Sequence, residues 1–248
     1  MKTRIDQLLV ERGLVESREK GQALILAGKV KVNGVPVDKA GKMFGQDATL
    51  EVEAKIHPYV SRGGLKMEHA LKVFGISPQH KIVMDIGAST GGFTHCLLLQ
   101  GAEHVYAVDV GYGQLAWELQ QNSAVTSLER TNIRHLPFER IGKMMDLIVI
   151  DASFISLKLI FPKTHEFLKP GGDVIALVKP QFEAGRQEIG KRGKVSDEDV
   201  HARVQQEITD SARLFGFEVC QWSISPIEGK KSNNREFLVY LKKTGLIA

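Results

Sequence analysis

The chain has 248 residues, 43% of them hydrophobic and 25% charged, which allows one large domain or a moderate one plus a small one. Its net charge of +4 and pI near 9.0 are too mild to establish nucleic-acid binding alone. No apolar run approaches the ~20 residues that span a bilayer, and the charged start MKTRIDQLLVERGL lacks the apolar core of a secretory signal.

Taken in chain order, the first segment is IDQLLVERGL, where Ile5, Leu8 and Leu9 form an apolar stripe at helical spacing and Gly13 is a natural stop. Ser17 stands where an N-cap belongs, ahead of REKGQALILAGK, and Ala23, Leu24 and Leu26 are expected to face inward. VKVNGVPV then reads as two half-strands joined by Asn33-Gly34, a strong hairpin signal, and TLEVEAK as a further strand. Positive charge gathers here: residues 1–44 hold nine Lys or Arg against five acids. A basic face of that size suits phosphate binding, with a solvated surface as the plain alternative.

From residue 80 onward, strand-like and helix-like segments alternate. The strands are KIVMDIG, HVYAVDVG, a short piece in AVTSLER, MDLIVIDAS and DVIALVKP; FTHCLLLQG and LIFPKTHEFLKPGG read as helices between them. Near-continuous Val, Ile and Leu runs indicate parallel strands covered on both faces. After a long helix in SDEDVHARVQQEITDSARLFGF come FEVCQWSISP and REFLVYLKK, joined by a loop too short for a crossover and so antiparallel.

The sharpest motif is Asp85-Ile86-Gly87-Ala88-Ser89-Thr90-Gly91-Gly92-Phe93-Thr94, which follows an apolar strand and opens a helix. Its glycines would let backbone approach a ligand at the carboxyl ends of the strands. Asp109, at the end of the second strand, suits the hydroxyls of a ribose. A dinucleotide fingerprint would carry glycine where Ser89 stands, for the pyrophosphate. S-adenosyl-L-methionine has no pyrophosphate, and its amino group would meet an acid such as Asp85. The acid-Gly-x-Ser-x-Gly-Gly-Phe pattern resembles the methyltransferase type, which implies cofactor contacts at Asp85, Gly87, Ser89, Gly91, Gly92, Phe93 and Asp109.

Several of these patterns resemble known families. RxDxLLxxRG followed by SRxxAxxLIxxGxVxVNG resembles the S4 RNA-binding domain, which implies an RNA-facing surface on the second helix and hairpin. Arg4, Arg18, Lys20, Lys29 and Lys31 are its candidate contacts. The five parallel strands with a C-terminal antiparallel hairpin resemble the Rossmann-like methyltransferase sheet. The expected fold is thus α/β, preceded by a small α+β RNA-binding domain, with boundaries at 1–60 and 61–248. SRGGLK just before the first core helix, DASFISL, KPQFE and NREFL resemble the FtsJ-like 2′-O-methyltransferases, whose Lys-Asp-Lys-Glu tetrad falls here on Lys66, Asp151, Lys179 and Glu236. That resemblance implies Lys179 as base, Lys66 and Glu236 orienting the acceptor hydroxyl, and Asp151 balancing the cations.

Both halves together resemble the TlyA family, which implies ribosomal RNA or ribosomal subunits as partner and cytidine 2′-hydroxyls as acceptor. The "hemolysin" label carried in that family raises a membrane-lytic alternative, and a non-catalytic RNA-binding factor is another. Basic stretches at 186–194 and 230–235 are further candidates to grip RNA. Cys96 and Cys220 form neither a CxxC pair nor a disulfide framework, and the histidines show no ligand spacing, so a cytoplasmic protein without a metal is expected.

Overall fold

Asn33 and Gly34 both adopt positive φ, at 50° and 76°, as a two-residue hairpin turn requires. They join two strands in a computed structural model that describes residues 2–15, 17–52, 57–229 and 233–244. The chain divides into two compact units, Met1–Pro58 and Tyr59–Ala248.

The first unit runs β1 (Lys2–Arg4), α1 (Ile5–Glu11), α2 (Arg18–Leu26), β2 (Val30–Val32), β3 (Val35–Pro36), β4 (Met43–Gly45) and β5 (Leu50–Val52). Strand β2 is central in a β3-β2-β5 sheet, while β1 pairs antiparallel with β4. As expected, Ile5, Leu8 and Leu9 are wholly buried, and the Ser17 hydroxyl accepts the Lys20 amide to cap α2. The inward face of α2 differs from expectation. Ala23 and Leu26 are exposed and Leu24 is half-buried, whereas Gly21 and Ile25 face the core. A Cβ on Gly21 would lie 3.4 Å from the Asp6 carbonyl and 3.5 Å from Leu9, so α1 and α2 approach closely there and set the phase of the helix. The expected strand in TLEVEAK is seen as β5; residues 53–56 lie outside the described residues.

The second unit contains α3 (Gly63–Phe74), β6 (Ile82–Ile86), α4 (Gly92–Leu99), β7 (His104–Val108), α5 (Trp117–Gln120), β8 (Val125–Leu128), β9 (Met145–Ile150), α6 (Phe161–Phe167), β10 (Leu168–Val178), α7 (Pro180–Glu183), α8 (Glu198–Leu214), β11 (Phe217–Ile224) and β12 (Phe237–Lys243). Seven strands form one sheet in the order β11-β12-β10-β9-β6-β7-β8. The five expected parallel strands are parallel, and β12 runs antiparallel between β10 and β11. Alternate residues of β9 enter two different cores: Ile148 and Ile150 pack on one face, Leu147 and Val149 on the other. That is why its sequence shows no polar alternation. Tyr59, which the 1–60 boundary puts in the first domain, is buried in the core of this unit with Met67 and Phe93.

Two further expectations shift. The helix read over 159–172 ends at Phe167, because Pro170-Gly171-Gly172 cannot continue it and instead lie within β10, whose register with β9 shifts between Leu168 and Asp173. Lys66 lies inside α3 rather than before it.

Candidate active site

The carboxyl ends of β6, β7, β9 and β10 lie along one edge of the sheet, and the loops that follow them carry most of the candidate residues. Between β6 and α4 the chain must reverse sharply. Gly87 sits at φ 85° and Gly91 at φ 94°. A Cβ on Gly87 would come within 2.6 Å of the Asp151 carbonyl oxygen, one on Gly91 within 2.3 Å of Leu119, and one on Gly92 within 2.2 Å of the Ser61 hydroxyl. Gly91 and Gly92 are buried. These glycines are therefore demanded by the protein's own packing as well as by the turn. Gly87→Ala combines a left-handed backbone with a backbone clash, and should lower stability by about 2–4 kcal/mol in a chemical denaturation curve. Phe93 is likewise a core side chain, 3% exposed.

Asp85 is fully buried. Its Oδ2 accepts the Thr94 amide at 3.0 Å and the Thr94 hydroxyl at 2.7 Å, while Oδ1 has no hydrogen-bond partner among the described residues. Burial, helped by the nearby charge of Asp151, pushes its carboxyl up to about 7. Asp109, partly exposed, accepts the Ser89 amide at 2.8 Å and the Gly111 amide at 2.7 Å, one on each oxygen. Each oxygen retains a second lone pair for a ligand hydroxyl. Ser89 and Asp109 line a cleft with Ala88, Gln114, Leu115 and Glu129; the Ser89 hydroxyl donates to Gln114 Oε1 at 3.1 Å.

The four residues of the expected tetrad form two ion pairs on this edge. Lys66 Nζ lies 2.5 Å from Glu236 Oε2, with side chains 12% and 3% exposed. Lys179 Nζ lies 2.6 Å from Asp151 Oδ1, and donates to the Ser153 hydroxyl at 2.9 Å. The approach to Asp151 Oδ1 is oblique, since that oxygen makes no directed hydrogen bond. Sheet register explains the gathering. Val178 pairs with Phe237, so Lys179 and Glu236 are the next residues outward on neighbouring strands. Ile86 pairs with Ile150, and Asp151 donates its amide to the Ile86 carbonyl. Ion pairs so deeply buried lose much of their Coulomb gain to desolvation, so stability alone is a poor reason for them.

Sequence reasoning passed over two features here. Phe154 follows the Asp151 strand end in a left-handed conformation, φ 65°, and is 86% exposed. A bulky residue held at positive φ and turned to solvent is uncommon and carries backbone strain. Its ring meets Phe182 at 5.0 Å, and Lys179 Nζ lies 5.9 Å from the Phe182 ring. Glu183 is the second. It accepts the Ser156 hydroxyl at 2.6 Å and the Leu157 amide at 2.9 Å, tying the loop after β9 to the segment that begins with Lys179. Burial pushes its carboxyl upward. The signal for Phe154 was present, as the aromatic in Asp151-Ala152-Ser153-Phe154.

Of the other basic candidates, Lys20 and Lys29 are exposed and Lys31 stands opposite Glu51 in the β2–β5 register. Arg4 and Arg18 are both engaged with Asp6. In the stretch 230–235, Arg235 pairs with Glu198 at 2.7 Å, while Lys230 and Lys231 lie outside the described residues. Asn234 fastens the stretch 186–194 by accepting the Val195 amide at 2.9 Å and donating to the Gly193 carbonyl at 2.8 Å.

Comparison with known proteins matches residues 59–243 to the FtsJ-like methyltransferase family and residues 3–49 to the S4 domain. YqxC of Bacillus subtilis, described as a candidate rRNA methyltransferase, is 49% identical over 98% of this chain and 87% of its own. The 16S/23S rRNA (cytidine-2′-O)-methyltransferase TlyA of Mycobacterium tuberculosis is 41% identical over 97% of this chain and 90% of its own. A solved structure from Streptococcus thermophilus, described as a candidate hemolysin, superposes with a TM-score of 0.76 at 45% identity, covering 98% of this chain and 89% of that one. Among the described residues, no helix is long and apolar enough to cross a membrane.

Proposed function

The chain belongs to the FtsJ-like methyltransferase family, with an S4 domain before the catalytic unit, and we propose that it methylates a ribose 2′-hydroxyl of ribosomal RNA, on cytidine, in the cytoplasm. The observation that carries this reading is the pair of ion pairs, Lys66–Glu236 and Asp151–Lys179, at the carboxyl edge of the sheet.

The chemistry of the residues present suits S-adenosyl-L-methionine on two observations. Asp85 Oδ1 is a buried carboxylate oxygen without a partner among the described residues, suited to an ammonium group. Asp109, Ser89, Gln114 and Glu129 offer acceptors and donors around an apolar wall of Ala88 and Leu115, suited to a nucleoside. When bound, the cofactor supplies a methyl group activated by its sulfonium.

The chain's own residues handle the acceptor. A ribose hydroxyl is a poor nucleophile and must lose its proton as it attacks. Lys179 Nζ is the group placed to accept that proton. Lys66 donates to the hydroxyl oxygen and Glu236 fixes Lys66, so the oxygen is held in line for transfer. Asp151 balances Lys179 once it is charged, and Ser153 holds the lysine in place. Phe154 and Phe182 present aromatic faces beside this group, where an unstacked base would rest. Phe154→Ala should then lower kcat/KM for RNA by about 5- to 100-fold, the equivalent of one base–aromatic stack. Cofactor affinity measured by calorimetry should stay within a factor of two. An equal loss of cofactor affinity would place Phe154 in a different role.

The reading is tested with methyl-labelled cofactor and a pair of RNA fragments that differ only by a 2′-deoxy substitution at the methylated nucleotide. Label should enter the ribose form alone; equal labelling of both would shift the acceptor to a base.

A further inference from the structure

Asp6 is a carboxylate with no solvent exposure at the start of α1, in the unit that carries the expected RNA surface. Its Oδ1 accepts Arg4 Nε at 3.0 Å and the Gln7 amide at 3.0 Å. Its Oδ2 accepts Arg4 Nη2 at 3.0 Å, Arg18 Nη2 at 3.1 Å and Gln22 Nε2 at 2.8 Å. The fork-shaped contact from Arg4 fixes both the position and the plane of that guanidinium. Arg4 comes from β1 and Arg18 from the first turn of α2, so one buried acid draws together cations from two elements. Both arginine side chains stay about half exposed, at 45% and 50%. A guanidinium has five N–H donors; among the described residues Arg4 spends two on Asp6 and Arg18 one. The cluster of two cations and one anion keeps a net charge of +1 and a solvent-facing set of donors.

We infer that Asp6 is a positioning residue for RNA binding: it holds Arg4 and Arg18 as a paired guanidinium clamp for backbone phosphate. The inference rests on the reading that this unit binds ribosomal RNA. Ordering two long side chains before the encounter removes an entropy cost that binding would otherwise carry. The three-residue strand β1 gains a purpose as well. Its pairing with β4, in register Lys2–Gly45 to Arg4–Met43, fixes the extended backbone at Arg4, the residue that caps α1.

The idea separates from simple charge accounting by the sign of an effect. Asp6→Asn deletes a negative charge from a basic surface. If net charge alone governed affinity, the variant would bind RNA more tightly. If Asp6 orders the clamp, the full-length variant should bind a 23S ribosomal RNA transcript at least about 5-fold more weakly. The slope of log K against log salt should also become shallower, since each lost phosphate contact removes about 0.9 from it in a duplex. Because Asp6 is buried, Arg4→Lys/Arg18→Lys supplies a second variant that keeps every charge and the carboxylate but lacks the fork; it should weaken binding comparably. Unchanged or tighter binding by the Asn variant, or unchanged binding by the double Lys variant, would overturn the role of Asp6, provided Arg4→Ala/Arg18→Ala still weakens binding. If that double alanine variant binds like the parent chain, the RNA reading of this surface fails with it.

Discussion

Replacing Lys179 with alanine should reduce methyl transfer by about 10²- to 10⁴-fold, the usual worth of a positioned general base. Lys179 is the group of the site that contacts both a carboxylate, Asp151, and a hydroxyl, Ser153. Its removal leaves Asp151, 22% exposed, without its cation. Some loss of stability is therefore expected. Lys179→Met, which keeps most of the side-chain volume, serves as the check on folding. Single-turnover kinetics with saturating cofactor and RNA isolate the chemical step. Both variants should bind cofactor and RNA within a few-fold of the parent chain while transfer collapses. A transfer rate within a factor of three of the parent would remove Lys179 from the chemistry. Glu236→Gln should fall in the same direction, because it breaks the partner of Lys66 and leaves that ammonium buried.

The second large effect lies in stability. Asp85 is fully buried, and burial raises its carboxyl from 3.8 to about 7. Between roughly pH 4 and 7 the folded state then binds a proton that the unfolded chain has released, so this residue's contribution to stability falls as pH rises across that window. Above pH 7 the loss is complete. Asp85→Asn cannot ionise, and its amide oxygen can still accept the Thr94 amide and hydroxyl. The cofactor-free variant should therefore be more stable than the parent at pH 8, by at most roughly 4 kcal/mol for the interval from 3.8 to about 7. Near pH 4 the two should nearly coincide. Glu183, also raised by burial, keeps part of the slope in the variant. Asp6 acts oppositely and elsewhere: the Arg4 hydrogen bond holds its carboxyl well below the usual range, so its contribution is lost only under strongly acidic conditions. Cofactor affinity should move against stability, since the partnerless Asp85 oxygen is the proposed seat of the ammonium. Thermal melts at pH 4.5, 6 and 8 read the first effect and calorimetry the second. An Asn variant less stable than the parent at pH 8 would contradict this account of the buried carboxyl.

Much of this was legible from local pattern. Asn33-Gly34 announced a hairpin because few residues accept left-handed backbone in succession, and Ser17 announced a helix start because its hydroxyl answers an orphan amide. The strand ends at Asp85, Asp109, Asp151 and Lys179 were legible because a charge closing an apolar run has to reach the sheet edge. What escaped depended on contacts distant in sequence. The phase of α2 follows from the close approach of Gly21 to α1, which no helical periodicity within 18–26 encodes. Gly87, Gly91 and Gly92 stood out in the sequence, but their close packing against Asp151, Leu119 and Ser61 was not legible there. Arg4 and Arg18 looked like two independent surface cations until the fold brought both to Asp6.

The most direct test is to incubate the protein with methyl-labelled S-adenosyl-L-methionine and separated ribosomal subunits, digest the RNA with alkali, and map the label. A methyl group on a ribose oxygen blocks cleavage of the adjoining linkage, so the account predicts label in an alkali-resistant dinucleotide whose 5′ nucleoside is 2′-O-methylcytidine, absent with Lys179→Ala. Label on a base, released by alkali as an ordinary mononucleotide, would contradict it.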